Sequence, residues 1–145
     1  MPQSVSHDID GATASASTAP APRWIRVVGA IAVAWNLIGL GMFFADAGVF
    51  GPAAVSPGVA AMPTLVFIAF GIACVTGVAG SVGLALLRRW SRAVLWISAV
   101  ATVIDWGWVL PFGSGGSMPI GVTVLVGAGL LVWLAELAQR RGWLV

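Results

Sequence analysis

The chain has 145 residues, 59% of them hydrophobic and only 8% charged, with a formal net charge of +2. Soluble domains carry about a quarter charged residues, so this composition excludes a soluble fold able to cover its own surface and points to an integral membrane protein. It also excludes an internal disulfide, because Cys74 is the single cysteine, and a histidine-rich metal cluster, because His7 is the single histidine.

Residues 1–22, "MPQSVSHDIDGATASASTAPAP", are small, polar and rich in Ala, Ser and Thr. That is the composition of a disordered tail, expected on the cytoplasmic side. It has no basic n-region, so it does not read as a secretory signal. Over residues 23–145 four apolar runs follow, at about 24–45, 64–87, 92–110 and 118–138. Each approaches the ~20 residues that cross a hydrocarbon core of ~30 Å. Backbone groups in lipid must bond internally, so each run is expected as a helix. The "ADAG" at 45–48 resembles a cleavage site. The run before it exceeds the ~7–15 residues of a signal core and carries Asn36, so an uncleaved helix is expected. The breakers agree with these spans: "GVFGPAAVSPGVAAMP" (48–63) is a Gly/Pro-rich loop, with Pro63 suited to the first turn of the second helix. "PFGSGGSMP" (111–119) is a turn-rich loop and "RRWSR" (88–92) a tight connection. The fold class expected is all-α, an up-down four-helix transmembrane bundle.

All seven basic residues are arginines: Arg23, Arg26, Arg88, Arg89, Arg92, Arg140 and Arg141. Four spans bring every one of them to the same side, and the loops 46–63 and 111–117 contain none. The positive-inside rule then puts both termini in the cytoplasm, in keeping with a bacterial plasma membrane. The arginines are expected to set topology and to touch anionic headgroups, a simpler role than nucleic-acid binding, which is not expected. Trp24, Trp90 and Trp143 at one interface and Trp106 and Trp108 towards the other form an aromatic belt.

Helical spacing sorts side chains into faces. Ser98, Thr102 and Asp105 lie at i, i+4 and i+7, while Trp96, Val100, Val103 and Gly107 point away from them. Gly29, Ala32, Asn36 and Gly39 share a stripe on the first helix. Ala69, Ala73, Gly77 and Ser81 share one on the second, with Thr76 and Gly80 adjoining. On the fourth helix Thr123 and Gly127 share a face. Small residues allow the close approach that drives helix association in lipid, so Gly29, Gly39, Gly77, Gly80 and Ser81 are expected as packing positions. Asp105 lies about four residues from the middle of the third helix, ~6 Å from the midplane at 1.5 Å per residue. A carboxylate near a helix centre costs about 2.5–3.5 kcal/mol on insertion scales, so it is expected to face the bundle interior or a wet pocket. A headgroup-level position beside Trp106 and Trp108 needs only a one-turn shift. Asn36 lies at similar depth, and the two, with Thr102, Ser98 and Thr76, form the candidate substrate or proton site. Glu136 precedes Arg140 by four residues, the favourable order for a helical ion pair.

Three phrases, "AWNLIG" (34–39), "GSVGLALLRRWSR" (80–92) and "RRGWLV" (140–145), resemble small, largely uncharacterised bacterial four-helix inner-membrane proteins, some of them labelled sugar transporters. The resemblance covers most of 24–145 and implies transport of a small solute. It also implies an acid soon after "WNLIG"; Met42 and Phe43 stand there, and the nearest acid is Asp46. The small multidrug exporters, another four-helix group, carry a glutamate in mid-helix where this chain has Asn36. A transporter for a small-molecule substrate is thus one expectation, with the lipid bilayer and a second copy or another membrane protein as partners. A non-catalytic scaffold or accessory subunit is the other. No enzyme activity, metal or cofactor is expected, since there is no nucleophile–base pair, metal cluster or phosphate-binding loop.

Overall fold

Four long helices form where the apolar runs lie: α1 (Arg23–Asp46), α2 (Thr64–Ala85), α3 (Trp90–Phe112) and α4 (Met118–Arg140). The structure, a computed structural model, describes residues 20–112 and 117–145. Most of the expected N-terminal tail, and residues 113–116 of the second Gly-rich loop, lie outside the described residues. All four helices are long and apolar enough to cross a membrane. Among the described residues there is no strand, and two short 3₁₀ turns, Pro52–Ala54 and Val59–Ala61, shape the loop after α1. Asp46 Oδ1 accepts the Ser56 N–H at 2.8 Å and ties that loop to the end of α1. Pro63 is the residue before α2 rather than part of its first turn. α3 runs two residues past the expected boundary, carrying Pro111 in its last turn.

Three helices stop in the same way. Gly48, Leu87 and Gly142 adopt positive φ. In each case the next N–H reaches back five residues, Val49 to Phe44 O, Arg88 to Gly83 O and Trp143 to Ala138 O. These are Schellman ends, which satisfy carbonyls that the helix leaves open.

Small residues decide which helices meet. Gly29 lies against the Ala85 backbone, Gly77 against Asn36 and Gly71 against Phe43, so α1 and α2 pack antiparallel. Gly83 lies on Trp90 and Ser91 and Gly80 on Leu95, while the Ser98 hydroxyl donates to Ala73 O at 3.0 Å, so α2 and α3 do the same. Gly121 lies on Trp106 and Leu110 at the far end of α3 and α4. Each helix packs on its neighbour in sequence, an up-down order. The ring does not close, however: α1 and α4 make hardly any direct contact. α1 spends its small stripe on α2 and turns Trp24, Ile31 and Trp35 towards α4, and bulky faces do not approach closely in lipid.

The antiparallel order gathers all seven arginines at one end. That end also holds the buried core, with Ile25, Leu84, Leu95, Ala138 and Leu144. The segment after α4 folds back to complete it. Val145 N–H donates to Leu87 O at 2.7 Å and Arg89 N–H to Val145 O at 3.0 Å. Arg89 Nε donates to Leu144 O at 3.3 Å. Trp143 meets Trp24 edge-on, with centroids 6.5 Å apart. Elsewhere the helices turn large apolar side chains outward, Ile31 at 65% and Leu65 at 72% exposure among them. Such a surface suits lipid as solvent, and the chain is built as a multi-pass membrane protein.

Candidate functional site

The unclosed seam between α1 and α4 is a cleft of about 490 Å³. Its walls are apolar: Trp24, Ile31 and Trp35 from α1, Leu130 and Trp133 from α4. Its floor is partly polar, and four side chains place it there: Asn36, Ser98, Thr102 and Thr123. Gly77 and Gly127 complete the lining. Each polar group is anchored within the protein. Asn36 Nδ2 donates to Ala32 O at 2.8 Å and to Ser81 Oγ at 3.2 Å. Ser98 donates to Ala73 O. Thr102 donates to Ser98 O at 2.8 Å, and Thr123 to Pro119 O at 2.7 Å. A hydroxyl keeps acceptor capacity after donating. The cleft therefore offers acceptors in an apolar slot, with Asn36 and Thr102 near the middles of α1 and α3.

Asp105 is buried, with 5% exposure, on the same face as Ser98 and Thr102. It does not line the cleft. The register of Gly80 on Leu95 and Ser98 on Ala73, continued outward, sets it against the first two turns of α2. Among the described residues no hydrogen bond reaches its carboxylate. Asn36 and Asp105 therefore do not share one cavity: Thr102 lies between them along α3, in the cleft with Asn36 and one turn from Asp105. Thr76 also lies apart, its hydroxyl bonded to Ile72 O of its own helix. Of the five residues of the candidate site, Asn36, Ser98 and Thr102 come together, Asp105 sits behind them and Thr76 stands aside.

Ser81 does more than pack, because it accepts the Asn36 amide. Glu136 does not pair with Arg140. Its Oε1 takes Arg92 Nε at 2.6 Å and Trp96 Nε1 at 3.0 Å, so its partners come from α3, 44 and 40 positions away. Only counting depth along both helices reveals that pairing in sequence, since Arg92 and Glu136 stand equally near the arginine-bearing end. Thr123 entered the floor of the cleft without any local signal beyond its spacing from Gly127. Among the described residues no group of three His, Cys, Asp or Glu side chains could hold a metal ion. No family model, curated protein or solved structure matches this chain.

Proposed function

We propose that this chain is a transporter-like protein of the bacterial inner membrane, with both termini in the cytoplasm, that takes a small hydroxylated solute into the α1–α4 cleft. The observation that carries this reading is the polar floor of that cleft. Asn36, Ser98, Thr102 and Thr123 each bond within the protein and also line this open space, where their oxygens keep acceptor capacity. Asp105, one turn beyond Thr102, is the proton or solute-coupling group, since an ionisable residue inside a membrane is by default a functional position. The resemblance of "AWNLIG" and "GSVGLALLRRWSR" to proteins labelled sugar transporters accords with it.

The test is uptake of labelled glucose and glycerol into proteoliposomes under an imposed proton gradient. Wild type is expected to exceed protein-free vesicles, Asp105→Asn to remove the response to the gradient and Asn36→Leu to lower uptake without it. Wild-type uptake at the level of empty vesicles sinks the reading.

A second reading has one specific observation behind it. The cleft opens sideways, flanked by exposed Trp35 and Trp133, where a helix of another membrane protein or a second copy can lie. In that scaffold role Asp105→Asn leaves function intact, while bulky substitutions at Gly77 or Gly80 disrupt assembly.

A further inference from the structure

A second groove, about 420 Å³ in volume, lies along α3 and α4 and meets the cleft at Ala99 and Trp133. Trp96 and Trp133 wall it, Gly129 and Val132 form its base, and Glu136 and Arg140 stand at its mouth. From Arg140 to Gly129 it follows α4 for about 16 Å at 1.5 Å per residue. It thus runs from the arginine-bearing end into the apolar belt. An acyl chain has that length and chemistry, and a solute confined to water does not.

The mouth is arranged for an anion. Arg92 donates Nε to Glu136, and among the described residues this is its single ion pair. A guanidinium carries five N–H donors in a planar fork. One is spent on orientation, and the remaining four have no protein partner among the described residues, on a side chain 49% exposed. Glu136 also holds the Trp96 indole, so one carboxylate sets both the arginine at the mouth and the aromatic wall behind it. Arg140 follows Glu136 by one turn of α4 and lines the groove with it, while Arg92 joins them through its ion pair to Glu136. Two cations against one carboxylate leave the mouth net positive. Basic pockets between helices at a membrane face take anionic headgroups, and Arg suits a phosphate through paired N–H donors.

We propose that the α3–α4 groove at the arginine-bearing end is a binding site for one anionic phospholipid, its phosphate held by Arg92 and Arg140 and one acyl chain lying between Trp96 and Trp133. The site adjoins the α1–α4 cleft, sharing Ala99 and Trp133 with its lining, and does not rest on the transport reading.

Native mass spectrometry of the detergent-purified, delipidated full chain, with phosphatidylglycerol or phosphatidylcholine added, tests it. Wild type is expected to retain one phosphatidylglycerol in preference to phosphatidylcholine. Arg92→Gln with Arg140→Gln is expected to lower phosphatidylglycerol retention roughly thirtyfold, since each arginine near an anionic surface is worth about a factor of five. Arg26→Gln, on α1 away from the groove, keeps retention at the wild-type level. Gly129→Leu supplies a second, independent variant. A Cβ at Gly129 meets nothing within 4 Å, so the larger side chain folds into the groove and displaces the acyl chain. Equal retention of the two lipids by wild type overturns the proposal. So does the same loss in Arg26→Gln as in the double variant, which makes the attraction diffuse, or undiminished retention in Gly129→Leu.

Discussion

Leu87 ends α2 with φ at 57°, a position where glycine is usual. The left-handed conformation costs a residue with a Cβ about 1–2 kcal/mol. Two contacts hold it there: the side chain is buried at 6% exposure, and the carbonyl accepts Val145 N–H. Removing a buried leucine costs about 2–5 kcal/mol, more than the relief of strain returns. Leu87→Gly is therefore expected to destabilise the protein, by about 2 kcal/mol from the midpoints of those two ranges. Denaturant titration in detergent micelles checks it; a gain in stability means that backbone strain outweighs burial. The same residue scale explains what could be seen of the site in advance. The i, i+4, i+7 spacing of Ser98, Thr102 and Asp105 puts them on one face, and all three are buried. That spacing fixes a direction around α3. It does not say which neighbour fills that direction, and α2, not the cleft, takes Asp105.

At the scale of the helices, three of the seven arginines work against local helix electrostatics. Arg23 and Arg26 lie in the first turn of α1, and Arg92 in the first turn of α3. Cations at a helix N-terminus oppose the macrodipole, at about 0.3–1 kcal/mol each when exposed. No acid in either first turn offsets them. A chain optimised for isolated helices would place them at the other ends. Here they all fall at one end of the bundle, which is what membrane orientation requires. The proposed orientation predicts a labelling pattern. In a Cys74→Ala background, Ala53→Cys in the loop after α1 reacts with a membrane-impermeant maleimide in intact cells. Val145→Cys, near the arginines, reacts only after the membrane is permeabilised. The reverse pattern inverts the protein and with it the side from which the cleft is reached.

At the scale of the whole molecule, the distinguishing feature is the seam that stays open between the first and last helices. Glycines on the two sides of the packing report it. A Cβ at Gly77 would overlap Asn36, whereas one at Gly127 meets nothing within 4 Å. Gly77→Leu is expected to lose about 1–3 kcal/mol through overpacking. Gly127→Leu is expected to hold or gain up to about 1 kcal/mol, because glycine is the poorer helix former. Thermal unfolding of the two variants beside wild type separates them; equal losses mean that the cleft is closed in the membrane. The sequence by itself determined the number of helices, their ends within a few residues, and which small residues each presents. Those follow from one-dimensional physics: the thickness of the hydrocarbon, the need to bond every backbone group inside it, and the 3.6-residue turn. Only the tertiary structure decided that α1 and α4 stay apart, that Glu136 reaches across to Arg92 and Trp96, and that Asp105 lies behind the cleft. Those depend on which bulky side chains meet when four helices share limited space, and positions far apart in the chain settle that together.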